Sequence, residues 1–450
     1  MSVSVGFISL GCSKNLVDSQ VMAGYLKAGS VALAASPETA DVILVNTCAF
    51  IEAAREEAAE AILSACAHKE KGACRAVVVT GCMVQRYRAR LEKAFPLVDA
   101  FLGIDELERI GEVVERVAEG RRVGVVAAAG AARKVYSPTY PTLLFTGGPF
   151  AYLKIADGCD HRCAYCAIPG IRGAFRSRGL ADVVKEASSM VGAGVRELNL
   201  ISQDSLMYGA DQPGRRPRIA ELVRRLDEIE GEFWLRVLYG YPAGVTDEVL
   251  EVLNTSRHLC RYLDLPIQHS HPELLKAMNR SAAVPATVGL AERLRQAVPG
   301  IVLRTTCLVG FPGETDAHFD HLLETLERSR FDHVGVFAYS PEEDTPAFGF
   351  EAPDPDVAEE RCARLMALQK KIVRERAKSL RGAFDVALLL RRDGTGTWAA
   401  RLPRQAPEVD GETRVSGVAA AAKAGDFVRV EVTGSKGYDL EARVVREPGR

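Results

Sequence analysis

Apolar residues in the first 130 positions follow two alternating patterns. Short runs rich in β-branched residues alternate with segments whose apolar positions recur at helical spacing. The predicted strands cover residues 5–10, 42–45, 76–79 and 100–102, and the predicted helices cover 18–28, 52–68, 85–94 and 104–118. Because strands that alternate with helices are typical of a parallel sheet, we predict an N-terminal parallel-sheet α/β domain over residues 1–130.

A second strand–helix series begins after a segment that shows neither pattern. Residues 131–149 contain three prolines and the pair Gly147-Gly148, which predicts a linker. Further strands are predicted at 152–155, 197–201, 234–238, 262–265, 302–308 and 333–337, with helices between them that include 180–192, 218–228 and 317–330. This series predicts a central partial (β/α)6 barrel over residues 150–380.

Residues 381–450 follow a basic helix predicted at 365–380 and change the pattern again. Short strands are predicted at 385–390, 397–401, 427–432 and 440–445, with glycine-rich turns between them. They indicate a small C-terminal all-β barrel. This module has twelve Lys and Arg against ten Asp and Glu, and such a balance favours a protein partner over RNA.

Composition and charge narrow the functional classes. The chain has 450 residues and a formal net charge of −2, which argues against a protein that coats nucleic acid non-specifically. No apolar run is long enough to predict a membrane helix, and the first residues do not resemble a signal peptide. We therefore expect a cytoplasmic protein without a membrane partner. Eleven cysteines in a reducing compartment indicate metal or redox chemistry more than disulfides.

Three cysteines stand close together just after the first strand of the central series. Cys159, Cys163 and Cys166 form the pattern C-x-x-x-C-x-x-C. Three thiolates in so short a loop can hold one face of a 4Fe-4S cluster and leave one iron open to another ligand. A structural zinc site is the alternative, but it usually needs a fourth Cys or His at matching spacing, and no second C-x-x-C follows.

Three more cysteines are far apart in the sequence but equivalent in position. Cys12, Cys48 and Cys82 each follow one of the first three predicted N-terminal strands. Because the carboxyl ends of parallel strands meet at one edge of a sheet, their thiols can converge, and a second cluster is predicted there. Three ordinary buried cysteines are the alternative. The remaining cysteines show no such relation and are interpreted as ordinary residues, Cys307 as part of a strand core.

These motifs resemble a known family over essentially the whole chain. The Cys159–Cys166 loop resembles the motif of the radical S-adenosylmethionine (SAM) superfamily, and the order of domains resembles the methylthiotransferases, which end in a TRAM β-barrel. The segments SLGCSKNLVDS (9–19), NTCAFIE (46–52), ISQD (201–204) and APEVDG (406–411) resemble the RimO-like branch, which modifies a ribosomal protein. The tRNA-modifying, MiaB-like branch typically has Gln-Met-Asn where this chain has Ser13-Lys14-Asn15.

The resemblance implies two 4Fe-4S clusters, one on each cysteine triad, and SAM as a cosubstrate. It implies that SAM is cleaved reductively at the Cys159/Cys163/Cys166 cluster, that a hydrogen is removed from an unactivated C–H bond, and that the carbon radical collects a methylthio group from the N-terminal cluster. The implied target is the β-carbon of an aspartate in small-subunit ribosomal protein number twelve. An electron donor such as flavodoxin or ferredoxin is implied as a second partner.

Two other functions compete with this one. A tRNA adenosine methylthiotransferase would have the same fold. A non-catalytic iron–sulphur protein that transfers electrons or binds RNA is the more distant alternative, and the open-iron spacing of Cys159, Cys163 and Cys166 argues against it.

A few further residues are candidates for contacts with SAM or the substrate. Tyr165 could lay its ring against a flat base, and Gly310 and Gly313 in LVGFPGET could permit a close backbone approach to SAM, although a tight turn explains these glycines equally well. Gln268-His269 ends the fourth barrel strand, where a structural role for the histidine is at least as plausible as a catalytic one. Four arginines near the cysteine loop could bind a carboxylate or belong to a solvated surface loop: Arg162, Arg172, Arg176 and Arg178.

Overall fold

A computed structural model describes residues 3–72, 74–127, 130–135, 143–394 and 396–445. It contains a six-stranded parallel N-terminal sheet, a six-stranded parallel central sheet and a closed C-terminal barrel, so the predicted fold class is confirmed. Part of the predicted linker, residues 136–142, lies outside the described residues. No helix among the described residues has the length and apolar character needed to span a membrane.

The N-terminal sheet has the strand order β2-β1-β3-β4-β5-β6. Its strands are β1 (Ser4–Ser9), β2 (Ala32–Leu33), β3 (Val42–Thr47), β4 (Ala76–Gly81), β5 (Ala100–Leu102) and β6 (Gly124–Val126). Its helices are α1 (Ser13–Ala28), α2 (Glu52–Lys71), α3 (Cys82–Tyr87), α4 (Ala89–Ala94) and α5 (Ile110–Ala118). Strands β3 and β4 are buried along their whole length because α1 and α5 cover one face of the sheet and α2 and α3 cover the other.

Two N-terminal helices differ from the prediction. The segment 85–94 forms two short helices, because Arg88 has a positive φ of 43° that ends α3 and precedes α4. The segment 104–118 begins as a 3-10 helix (Ile104–Arg109) before α5. Strand β6 was not predicted, because it has only three residues and directly precedes the Ala-rich segment.

The central sheet has its strands side by side in chain order, as expected of a partial barrel. The strands of this domain are β7 (Phe150–Lys154), β8 (Ala156–Asp157), β9 (Arg176–Ser177), β10 (Glu197–Ile201), β11 (Trp234–Val237), β12 (Leu259–Asp264), β13 (Val302–Val309) and β14 (His333–Ala338). Strands β8 and β9 form a separate antiparallel pair. The helices are α6 (Ile168–Arg172), α7 (Leu180–Gly192), α8 (Ile219–Leu226), α9 (Asp247–Thr255), α10 (Pro272–Ala277), α11 (Ala283–Thr287), α12 (Leu290–Ala297), α13 (Asp316–Ser329) and α14 (Pro355–Leu380).

The two faces of the central sheet differ in chemistry. Alternate residues such as Leu153 and Leu198 pack outward against the helices in a large apolar core. The residues between them, which include Lys154, Asn199 and Arg236, are buried on the inner face. Helix α1 of the N-terminal domain packs toward this inner face, since its apolar residues share a core with Tyr152.

The C-terminal barrel has the strand order β15-β16-β17-β19-β18. Its strands are β15 (Phe384–Arg392), β16 (Trp398–Arg401), β17 (Thr413–Ser416), β18 (Phe427–Lys436) and β19 (Asp439–Val444). The segment between β16 and β17 turns back into the central domain: Tyr152 donates to Glu408 at 2.6 Å and Tyr262 donates to Asp410 at 2.7 Å. The motif at 406–411 therefore joins two domains.

Candidate active site

All six cysteines of the two triads line one cavity of about 350 Å³. The cavity lies where the carboxyl ends of the N-terminal strands face the carboxyl ends of the central strands. Cys12, Cys48 and Cys82 come from the first sheet, and the loop after β7 contributes the other three. The parallel-sheet argument thus correctly brings the dispersed triad together.

Strand register and two glycines position the dispersed triad. Thr47 of β3 lies opposite Gly81 of β4, so Cys48 and Cys82 leave the sheet side by side. Gly81 has φ 98°, and a Cβ there would lie 2.4 Å from the carbonyl oxygen of Thr47. Gly11 has φ 84°, and its Cβ would lie 2.8 Å from that of Cys48. Both positions therefore need glycine for the cysteines to approach one another.

Asn15 ties the first turn of α1 to the ends of these strands. Its side-chain amide donates to the carbonyl oxygens of Leu10 at 3.2 Å and Thr47 at 2.9 Å. Its own backbone carbonyl accepts a bond from Asn46 at 2.7 Å. The Ser13-Lys14-Asn15 segment is consequently held rigidly beside the cavity.

The cavity desolvates most of the thiols. Burial raises the pKa of Cys82, Cys159 and Cys166 to about 12 and also raises that of Cys48. A buried thiol stays protonated unless a nearby positive charge stabilises the thiolate. These thiols are therefore poised to bind a metal that displaces their protons rather than to react as free nucleophiles.

Arg172 is a central part of the site and not a surface residue. It is 1% exposed and pairs with Asp18 and Asp157, each at 2.9 Å. It also donates to Asn15 Oδ1 at 2.6 Å and reaches the sulphur of Cys82 at 3.5 Å. It thus links the central domain to the dispersed triad.

The surface interpretation of the arginines is wrong at two positions. Arg172 is buried, as described, and so is Arg178, which pairs with Glu186 at 2.6 Å. Arg162 is exposed and Arg176 is half-buried, so the surface interpretation holds best for Arg162. Lys154 completes the buried network, because it pairs with Asp157 at 3.1 Å and also with Asp18.

A second group of residues surrounds the Cys159–Cys166 loop; its place in the site was not predicted from the sequence, although Asp204 belongs to the ISQD segment. His161 Nε2 lies 2.7 Å from Asp204 Oδ2, and its ring stacks on Tyr241 at 4.0 Å. The guanidinium of Arg280 lies 4.3 Å from the Tyr241 ring centre, and its Nη1 is 3.4 Å from Cys163 Sγ. Asp204 and Tyr241 follow the ends of β10 and β11. This position after parallel strands is the sequence feature that could have identified them as site residues.

Lys14 is a further buried cation in the same cavity, two residues after Cys12. It is 7% exposed, and its Nζ lies 2.9 Å from the ring centre of Tyr239. Burial lowers the pKa of its ammonium to about 8. The Tyr239 hydroxyl in turn lies 3.3 Å from Ser13 Oγ.

The other predicted residues fall in different places. Tyr165 lines the cavity with its ring nearly perpendicular to that of Phe311, and Gln268 lines it as well. Gly310 and Gly313 both have positive φ but do not contribute to this lining; a Cβ on Gly310 would lie 2.6 Å from Ala358 of α14. Their contact with SAM stays a prediction. His269 is fully buried, and its Nδ1 accepts the backbone N–H of His271.

The five remaining cysteines lie outside this cavity. Cys66, Cys74, Cys260 and Cys307 are buried, and Cys362 is half-buried. Cys307 is fully buried in β13, within the core between the central sheet and its helices.

Three family models match successive parts of the chain. The Uncharacterized protein family UPF0004 matches residues 4–103, the Radical SAM superfamily matches 153–326, and the TRAM domain matches 385–445. These ranges follow the three sheets of the structure.

Curated relatives match over nearly the full length. A ribosomal protein uS12 methylthiotransferase RimO from Synechococcus sp. (strain JA-3-3Ab) is 42% identical, over 99% of this chain and 95% of that protein. A protein of the same name from Symbiobacterium thermophilum is 44% identical, over 97% of this chain and 90% of that protein.

Solved structures support the fold at lower sequence identity. The radical S-adenosylmethionine methyltransferase TsrM from Kitasatospora setae, with cobalamin and a [4Fe-4S] cluster bound, has a TM-score of 0.57 at 16% identity, and the match covers 77% of this chain and 74% of that one. The cobalamin-dependent radical enzyme OxsB matches with a TM-score of 0.53 at 14% identity, over 83% of this chain and 56% of that one. Together with the full-length relatives, these findings show that the chain is a radical SAM enzyme and belongs to the RimO family of methylthiotransferases.

Proposed function

We propose that this protein adds a methylthio group to the β-carbon of an aspartate in small-subunit ribosomal protein uS12. The observation that carries the proposal is the convergence of both cysteine triads on one cavity. A sulphur source and a site of radical formation would then lie within reach of the same substrate side chain. The full-length relatives named for this activity support the choice of substrate. Because that substrate belongs to the ribosome, we infer a cytoplasmic enzyme.

We propose that each triad holds one 4Fe-4S cluster. Each offers three thiols to the same cavity, and their desolvation suits ligands that lose protons to a bound metal. Arg172 near Cys82 and Arg280 near Cys163 supply positive charge and N–H donors to the two sites. When bound, the clusters and SAM supply reductive cleavage of SAM, removal of a substrate hydrogen, and the transferred sulphur.

The chain's own residues then bind, orient and shield the reactants. Arg280 makes no ion pair with a carboxylate anywhere in the described chain, and we propose that it binds the carboxylate of SAM beside the Cys163 position. Tyr165 offers a ring for SAM at the same end of the cavity. Phe50, Ile168 and Tyr239 supply apolar surface that excludes water from the reacting atoms.

We further propose where an electron donor docks. A second depression of about 600 Å³ reaches Cys163 and Cys166 from another side, and Arg86, Arg88 and Arg162 line it. Arg86 is paired with Glu342 at 2.7 Å, so the positive charge left for a partner belongs to Arg88 and Arg162, which suit a small carrier with an acidic surface, such as a flavodoxin or ferredoxin. Replacing exposed Arg162 by Glu should slow reduction by such a carrier at low salt but not reduction by dithionite. Equal slowing with both reductants would contradict this docking site.

The function is tested by offering both competing substrates at once. Reconstituted enzyme, reductant and SAM labelled in its methyl group are incubated with purified uS12 and bulk tRNA under anaerobic conditions. We expect label in uS12, and mass spectrometry should place one methylthio group on a single aspartate. A uS12 variant with that aspartate changed to Ala is the matched control and should stay unlabelled. Label in tRNA adenosines and not in uS12 would overturn the proposal in favour of the tRNA-modifying activity.

A further inference from the structure

The charged side chains around the cavity differ in whether the protein itself pairs them. Arg172 and Lys154 are both neutralised by Asp18 and Asp157. Lys14, in contrast, forms no ion pair with any carboxylate of the described residues; its ammonium rests on the face of Tyr239.

Burial makes this lack of a partner costly. Lys14 is 7% exposed, and an ammonium taken out of water is unfavourable unless an anion compensates it. The neighbouring Asp264 accepts the backbone N–H of Tyr239 at 3.1 Å through one oxygen, and its other oxygen lies 3.8 Å from Arg304; neither oxygen lies within ion-pair distance of Lys14. The Lys14 position is therefore suited to an anion that arrives from outside the protein.

The surroundings hold Lys14 in a fixed place. It lies in the first turn of α1, between Cys12 and Asn15, which is bonded to two strand ends. The contact with the Tyr239 ring adds a further constraint, because the hydroxyl of Tyr239 lies 3.3 Å from Ser13 Oγ and so fixes the ring beside α1. A cation held this way can orient a ligand instead of merely attracting it.

An aspartate side chain offers the matching anion at the required position. Its carboxylate carbon is bonded directly to the β-carbon, at about 1.5 Å. A residue that grips this carboxylate beside Cys12 therefore also places the β-carbon near the dispersed triad. Asparagine has the same shape without the charge, which provides a clean chemical comparison.

We propose that Lys14 binds the carboxylate of the substrate aspartate and so selects an acidic side chain at the site of methylthio transfer. This inference rests on the proposed function and deepens it. It gives the lysine of the Ser13-Lys14-Asn15 segment a role in distinguishing a protein carboxylate from an uncharged base.

The test measures binding as well as turnover. Fluorescently labelled uS12, and the same protein with its target aspartate changed to Asn, are titrated with full-length reconstituted protein under anaerobic conditions. We expect the unmodified enzyme to prefer Asp over Asn by about ten- to a hundredfold, the range for a hydrogen-bonded charged pair. In the Lys14→Met variant the two affinities should become equal, and Lys14→Arg should restore part of the preference. Lys27→Met on the exposed end of the same helix is the matched control and should change neither affinity.

Three results would overturn the inference, and each is distinct from failure of the function. If Lys14→Met still prefers Asp and still modifies uS12, the function stands and Lys14 does not read the carboxylate. If Lys14→Met loses iron and weakens both affinities equally, Lys14 supports the N-terminal cluster and not the substrate. If the unmodified enzyme binds the Asp and Asn forms of uS12 equally well, no residue of the enzyme recognises the negative charge of the target side chain. Label in tRNA instead of uS12 would be failure of the proposed function itself.

Discussion

The two ends of the central barrel differ in whether their buried charged side chains have partners of opposite charge. At the amino ends of the strands, which we call the closed end, Glu197 accepts bonds from Arg236 and Arg401, each through Nε at 3.0 Å. The carboxyl ends, which we call the cavity end, contain one matched network, Arg172 and Lys154 with Asp18 and Asp157. Two further cations there, Lys14 and Arg280, form no ion pair with a carboxylate in the described ranges. Matched buried charges hold domains in place, whereas unmatched ones indicate where a charged ligand enters.

The closed end is built mainly from pairs that cross a domain boundary. Asp410, in the segment between β16 and β17, accepts from Arg304 and Tyr262, each at 2.7 Å. Arg236 also donates to the carbonyl oxygen of Pro403 at 2.7 Å. Changes at the closed end should therefore affect stability, and changes at the cavity end should affect chemistry in a protein that stays folded.

The largest expected effect is at the cysteine loop of the cavity end. Replacing Cys159, Cys163 and Cys166 together by Ala should abolish reductive cleavage of SAM, because the proposed open-iron site is lost. Iron in the reconstituted protein should fall from about eight to about four atoms per chain. Chromatography of 5′-deoxyadenosine and an iron assay measure the two quantities. Residual cleavage at the normal rate, or a wild-type ceiling near four iron, would contradict the assignment.

Replacing the dispersed triad should abolish methylthio transfer while SAM cleavage continues. With Cys12, Cys48 and Cys82 replaced by Ala, the protein should still form 5′-deoxyadenosine but attach no methylthio group to uS12. The reason is that the three proposed ligands of the SAM-cleaving cluster all lie in the Cys159–Cys166 loop and none comes from the first sheet. Product analysis by mass spectrometry checks this. Loss of SAM cleavage in a folded variant would mean that the two triads have been given the wrong roles.

The closed end should respond with a loss of stability and not of chemistry. Asp410→Ala removes the nearest carboxylate from the largely buried Arg304, which keeps only Asp264 at 3.8 Å, and should cost about 3–5 kcal/mol. Urea unfolding followed by tryptophan fluorescence suits this test, because Trp398 lies in the barrel core and Trp234 contacts Phe427 of that barrel. Glu412→Ala breaks the exposed pair with Arg391 and serves as the control, with a cost of about 0–1 kcal/mol. Equal costs for the two variants would show that the boundary pairs are not important.

The two ends also differ in how far the sequence could predict them. The cysteine loop was predictable because its three cysteines lie within eight residues, and the dispersed triad because each member follows a strand of one parallel sheet. The buried position of Arg172 could not be predicted, because it depends on the ion pair with Asp18, which is distant in sequence and belongs to another domain. The same holds for Lys14 and Arg280, whose positions depend on how separate strand ends pack together.

The contacts at the closed end could hardly be predicted from the hydrophobic pattern of the sequence. Strand β17 has only four residues with alternating exposure, and the segment before it carries no periodic signal. The resemblance marked residues 406–411 as characteristic, but it could not show that Asp410 enters the central barrel. Such contacts follow from tertiary packing between domains and not from local preference.

The smallest expected effect is the change in the free energy of unfolding with pH that Glu197 produces at the closed end. Burial alone would raise the pKa of Glu197, but Arg401 and Arg236 outweigh it and hold that pKa below its usual range. A carboxyl with a lowered pKa stabilises the fold fully above its ordinary value of about 4.3 and loses this contribution as the pH falls through the lowered pKa.

Glu197→Gln removes this titration and tests its sign. The variant should be less stable than the unmodified protein at pH 7, because two buried guanidinium groups then face a neutral amide. The difference should begin to shrink as the pH falls below about 4.3 and should be smallest below the lowered pKa, where Glu197 is protonated in the folded protein and resembles glutamine. Urea midpoints of both proteins at several pH values between neutral and acidic measure the difference. A gap that stays constant or widens in acid would mean that Glu197 does not titrate as its pairing requires, and the contrast between a matched end and an open end would lose its electrostatic basis.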